Sequence, residues 1–162
     1  EFYRIRGGLV LLSLFYALIV IAFIDLEHKI IPNRLTVPLL LIGLVFKTWE
    51  GELPAAITGC IIGGGILLLV AILYPKGMGM GDVKLLAMLG VFLGWAKVVL
   101  LLFLASFLAT GIISVLILLK RVKRRDPIPF GTFLSAAAVF VVLGNSIIEL
   151  FMIWPQYIDS LI

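Results

Sequence analysis

Charge is scarce in this chain. Of its 162 residues only 14% are Asp, Glu, Lys or Arg, while 63% are hydrophobic, against about half in a soluble globular domain. An ordinary water-soluble fold is thereby excluded, and lipid becomes the solvent for most side chains. Cysteine occurs once, as Cys60 inside an apolar run, which rules out an intrachain disulfide and a cysteine-rich metal site. That position calls for no more than a small packing residue. His28 is the only histidine, so a His-rich metal centre is excluded as well, and Asp25, Glu27 and His28 alone make a weak ligand set. No metal and no cofactor is expected. The chain has no Gly-x-x-x-x-Gly-Lys-Ser/Thr phosphate loop, and the glycine turn that starts at Gly77 lacks the preceding strand a dinucleotide site requires.

What is present is a series of apolar runs with charges bunched between them. The first extends from about Leu9 to Ile24 behind Arg4 and Arg6. It begins like a secretory signal, but no small-residue cleavage site follows, so it is expected to remain as a span. The chain opens Glu1-Phe2 without an initiator methionine, as a processed or excised piece would, or one carrying an expression scar. Asp25 to Arg34 is polar enough to lie in or near water, and Pro32 restricts Ile31 and marks a helix boundary. A shorter run, Leu35 to Phe46, reaches the length of a crossing if extended to Trp49, and Pro38 is tolerated in its first turns. Lys47 to Glu52 forms a brief loop, with Trp49 where an interfacial indole belongs. The third run, Pro54 to Tyr74, carries Gly59 and Gly63 four apart, followed by Gly64 and Gly65. That face lacks bulk and lets another helix approach closely.

From Val83 to Leu119 the chain is apolar with a pause at Lys97. At about 1.5 Å per residue this is too long for one crossing, so two spans joined by a tight hairpin at Gly94 to Lys97 are expected. A last run extends from about Thr132 to Trp154. The expectation is an all-α, polytopic membrane protein with about six transmembrane helices, forming one integral-membrane domain over residues 1–162.

Much of the net charge of +4 sits in Lys120-Arg121-Val122-Lys123-Arg124-Arg125. Beside membrane spans such a loop is a cytoplasmic topology signal that can also bind anionic lipid, and no nucleic-acid partner is expected. Counting crossings from it puts the Asp25 to Arg34 loop and the turn Gly77-Met78-Gly79-Met80-Gly81-Asp82-Val83-Lys84 on the cytoplasmic side, with both termini outside. Arg4 and Arg6 oppose that arrangement but are fewer. Asp25 and Asp82 then emerge on one side, each where a span joins a loop.

An aspartate beside hydrocarbon is costly and needs a reason. Asp82 has two available. It can cap a helix starting at Val83, with the glycines supplying the turn. Alternatively it can act on a polypeptide, whose backbone approaches closely where three glycines lack Cβ atoms. Two aspartates brought together do not easily both ionise, and they share a proton. This is the resting state of an aspartyl protease. One carboxylate takes a proton from water, while its protonated partner polarises the scissile carbonyl and later helps to protonate the leaving amine. Lys84, two residues beyond Asp82, does not face it along a helix; it is expected to snorkel to headgroups or to reach toward substrate.

Two blocks of the chain resemble a known family. Phe23-Ile24-Asp25-Leu26-Glu27-His28-Lys29-Ile30-Ile31-Pro32-Asn33-Arg34-Leu35-Thr36 is similar to the first aspartate motif of the type IV prepilin peptidases, members of the Gly-x-Gly-Asp class of membrane aspartyl proteases. Gly79-Met80-Gly81-Asp82-Val83-Lys84-Leu85 is similar to their second motif, and Pro129-Phe130-Gly131 is a weaker third echo. The resemblance implies Asp25 and Asp82 as the catalytic pair. Gly79 and Gly81, with Lys84 beside them, would form the active turn, and Pro32 with Asn33 the first loop. It further implies removal of the short basic leader from type IV prepilins or type II secretion pseudopilins at the cytoplasmic face of the bacterial inner membrane. Many bacterial members also carry an upstream region with paired Cys-x-x-Cys motifs and methylate the new N-terminus using S-adenosylmethionine. Nothing here matches that region, so methyl transfer is not expected from this chain. Two further classes fit two membrane aspartates: a broader presenilin-type intramembrane protease, and a small transporter subunit whose acids bind protons or cations.

Overall fold

The computed structural model describes the backbone of residues 2–75, 77–121 and 128–159, with side chains described at 8–75, 77–121 and 128–144. Most of the basic loop, residues 122–125, lies outside the described residues, as does Lys76 ahead of the glycine turn. Among the described residues the chain is all helical: α1 (Phe2–His28), α2 (Asn33–Trp49), α3 (Leu53–Leu73), α4 (Met80–Leu118) and α5 (Phe130–Asp159).

α4 is not a rod. Gly94 holds φ 76° and ψ 173°, a conformation outside the helical region that glycine adopts without steric cost. The chain reverses there. A Cβ built on Gly63 of α3 would lie 2.8 Å from the Leu86 carbonyl oxygen and 3.0 Å from a Val98 methyl. In an unbroken helix those two residues would stand about 18 Å apart. The arms before and after Gly94, residues 80–93 and 95–118, therefore lie side by side against α3, which is the hairpin the length of the apolar run demands.

Three described helices are long and apolar enough to cross a membrane, at Gly8–His28, Leu53–Leu73 and Met80–Leu118. Counting the two arms of α4 separately gives six helical segments, but they are unequal in length. At about 1.5 Å per residue the first arm reaches about 21 Å and α2 about 26 Å, both short of a hydrocarbon core of about 30 Å. The described residues thus bear out an all-helical chain with three long apolar helices, Met80–Leu118 among them with its break at Gly94, and do not confirm the expected count of about six crossings. The outer surface suits lipid: Phe23, Phe103, Phe107 and Phe140 are each more than 60% exposed, where water would penalise them.

The first arm of α4 is the hub. Val83, Leu85, Leu86, Met88, Leu89 and Val91 are buried nearly all the way round, because α3, α2 and α5 pack against α4. Between lipid-facing helices the association comes from dispersion and close backbone approach, since hydrocarbon is as apolar as the side chains themselves. Gly59 and Gly90 supply that approach, backbone against backbone. Among the described residues α1 joins the bundle through α5, with a smaller contact to α2, and its backbone makes no close approach to that of α4. Its buried stripe, Leu14, Ala17, Leu18 and Ile21, follows helical spacing and ends one turn later in Asp25.

Candidate active site

Four helix ends converge: the last turns of α1 and the first turns of α2, α4 and α5. Asp25 lies on the buried stripe of α1 and is only 4% exposed. The helix stops just beyond it, where Lys29 turns left-handed at φ 54° and returns its N–H to the Asp25 carbonyl at 2.9 Å. Asp82 stands in the first turn of α4 and is 8% exposed. That helix starts at Met80, three residues ahead of the expected Val83, and its N-cap is Gly79. Asp82 is therefore not the N-cap residue. It sits three positions inside, and its carboxylate takes a backbone hydrogen bond from Gly79, reaching back in the manner of the acidic member of a capping box. The Asp82 carboxylate closes the glycine turn from inside the helix and lies close enough to Asp25 for their charges to interact.

α5 positions the first acid. The Thr132 backbone N–H donates to Asp25 Oδ2 at 2.9 Å, and the Thr132 hydroxyl lies 3.3 Å from the same oxygen and 3.1 Å from the Ala22 carbonyl. Thr132 is in the first turn of α5, where N–H groups lack intrahelical acceptors and the helix dipole favours a nearby negative charge. Ile31 fills the space between α4 and α5. A Cβ on Gly81 would come within 2.9 Å of the Ile31 Cβ, and one on Gly131 within 2.6 Å of the Ile31 Cδ1 and 3.0 Å of Asp25 Oδ2. One isoleucine side chain is thus packed against the residue preceding each of Asp82 and Thr132.

The remaining residues singled out in the sequence fall around this centre. Pro32 is the N-cap of α2, and its carbonyl accepts the N–H of Leu35 and of Thr36 at 3.1 and 3.3 Å. Asn33, first residue of α2, accepts a hydrogen bond from the Lys84 ammonium at 3.1 Å. Lys84 therefore ties the start of α4 to the start of α2. Gly79 abuts the Asp82 carboxylate, with Oδ2 at 3.3 Å from where a Cβ would sit. Glu27 and His28 are exposed and 3.9 Å from each other, apart from the buried stripe that carries Asp25. Thr132 and Ile31 were not singled out from sequence. The only signal for Thr132 was the Pro129-Phe130-Gly131 block directly before it.

Residues 12–115, which include both aspartates, match the type IV leader peptidase family. The chain belongs to that family. A "Prepilin leader peptidase/N-methyltransferase" of Aeromonas salmonicida is 38% identical over 151 residues, covering 87% of this chain and 51% of the relative. One of the same description from Pseudomonas aeruginosa is 31% identical over 154 residues, covering 90% of this chain and 52% of the relative. The "Leader peptidase HopD" of Escherichia coli is 37% identical over 146 residues, covering 85% of this chain and 94% of the relative. This leader peptidase family member thus spans about half the length of the first two relatives and most of the length of the third. No solved structure matches it.

Proposed function

We propose that this chain is an aspartic endopeptidase of the membrane that removes the basic leader from type IV prepilins or type II secretion pseudopilins. The observation that carries the reading is the meeting of Asp25 and Asp82, two buried acids from distant parts of the sequence, at one end of the helical bundle of a leader peptidase family member. The stretch shared with relatives also named as N-methyltransferases is shared with a relative named only a leader peptidase. Peptide cleavage is therefore the activity assigned to it. Family membership favours this reading over a presenilin-type protease and over a transporter subunit.

In the proposed reaction one carboxylate removes a proton from water as the oxygen bonds to the scissile carbonyl carbon, and the other gives its proton to the carbonyl oxygen. On collapse the C–N bond breaks. The amine takes the proton held by the first acid, and the second recovers one from the gem-diol, so both return to their starting states. The apolar helix of the substrate would lie among the spans with its basic leader in water, which brings the cleavage point to interfacial depth and supplies proximity. Asn33 and Lys84 would hold the rim of the site, and Gly79 and Gly81 would let the substrate backbone approach. The basic loop Lys120 to Arg125 orients this end toward the cytoplasm of a bacterial inner membrane.

The test is incubation of the detergent-solubilised protein with a prepilin, reading product masses. A mass loss equal to the leader is expected, and it should vanish in Asp25→Asn and Asp82→Asn. Normal leader removal by either folded variant would overturn the two-acid assignment.

A further inference from the structure

We propose that Thr132 is the positioning residue for Asp25, and that its hydroxyl commits Asp25 Oδ2 to the protein so that Oδ1 is the oxygen presented to the attacking water. Thr132 lies beyond the stretch 12–115 that matches the family; the role given to Oδ1 rests on the peptidase reading above, whereas the hold of Thr132 on Oδ2 does not.

Its basis is the hydrogen-bond arithmetic. The Thr132 N–H donates to Oδ2, and the hydroxyl lies within reach of Oδ2 and of the Ala22 carbonyl, one turn back on the same helix as Asp25. A hydroxyl has one proton and two lone pairs. It can give that proton to an ionised Oδ2, where the bond is charge-assisted. When Asp25 has gained a proton from water, the hydroxyl proton can turn to the Ala22 carbonyl instead, with no heavy atom moving. Oδ1 receives no hydrogen bond from the described residues. One oxygen is therefore fixed by α5 in either protonation state and the other is left for chemistry. Gly131 makes this possible, since a side chain there would come within 3.0 Å of Oδ2 and disturb the same bonds.

The two acids are held differently. Asp25 is held by α5 through Thr132, whereas Asp82 is held within its own glycine turn by the Gly79 N–H.

The experiment compares Thr132→Val, which keeps shape and backbone N–H but loses the hydroxyl, with Thr132→Ser, which restores it. Expected for Val is a loss of about tenfold in kcat on a prepilin with KM unchanged, and for Ser a kcat close to wild type. The independent readout is infrared difference spectroscopy, each protein minus its Asp25→Asn counterpart, which isolates the carboxylate stretching bands of Asp25. Those bands should move in Thr132→Val and return in Thr132→Ser. Unmoved bands in the Val variant, or identical behaviour of Val and Ser, would overturn the assignment. If wild-type protein cleaves no prepilin, the peptidase reading fails, while the infrared comparison still decides whether Thr132 holds Asp25.

Discussion

Gly59 and Gly90 touch backbone to backbone, and a Cβ added to either would run into the carbonyl of the other. No side-chain rotation relieves such a contact, so the helices themselves must part. Gly59→Ala and Gly90→Ala are each expected to cost about 2–3 kcal/mol, seen as a lower midpoint in denaturant titrations in detergent. Gly65, with open space around it, is the control: Gly65→Ala should be neutral or stabilise by up to about 1 kcal/mol.

At Gly131 two obstacles are superimposed and can be separated. Gly131→Ala pushes against the Ile31 Cδ1 and against Asp25 Oδ2. Combining it with Ile31→Val removes Cδ1, the nearest atom, and leaves Asp25 Oδ2 at 3.0 Å beside a Cγ1 at 3.1 Å that can give way more easily. Thermal stability should recover in the double variant while prepilin cleavage stays at least about tenfold down, the scale of a displaced catalytic group. Joint recovery of both would show that packing alone was disturbed.

The Lys84–Asn33 hydrogen bond joins residues 51 positions apart across the exposed rim. A double-mutant cycle with Lys84→Met and Asn33→Ala should give a coupling of about 0.5–1 kcal/mol in stability. The double variant should be little worse than either single one. Fully additive losses would mean that the two side chains act independently.

At the opposite end Lys47 donates to Glu50 at 2.8 Å and to Glu52 at 2.7 Å. The hydrogen bond from Lys47 holds the Glu52 carboxyl below its ordinary value of 4.5. A carboxyl depressed on folding contributes stability that is present above its unfolded pKa and lost as pH falls through its folded one. Because the Glu52 side chain is 59% exposed, solvent screening limits the effect to a few tenths of a kcal/mol. Lys47→Met should therefore slightly flatten the decline of stability below about pH 4.5, and 1 M salt should erase the difference between the two proteins.

Much of this architecture is legible in the chain because membrane helices announce themselves by length. The runs at Leu9 to Ile24 and Pro54 to Tyr74 fall within α1 and almost wholly within α3, and the break at Gly94 follows from the excess length of the run around it. Helix starts are less legible. Glycine has low helix propensity, so Gly81 masks the fact that α4 begins at Met80. The acids stand out because charge is rare among hydrocarbon, whereas Thr132 does not, since a threonine at the start of an apolar run is unremarkable. Its bond to Asp25 spans 107 positions, a relation no local periodicity encodes. Ile31 was legible only as the residue that Pro32 restricts; its place against Gly81 and Gly131 exists only after folding.

Asp25 is held by Thr132 at the start of α5 and Asp82 by Gly79 in its own turn, so the spacing of the two acids depends on where α5 begins and on how Ile31 is seated. An apolar compound wedged between Ile31 and the first turn of α5 would pull the acids out of register without touching either one. Such an inhibitor would need no carboxylate mimic, and substitutions at Ile31 would be the natural route to resistance.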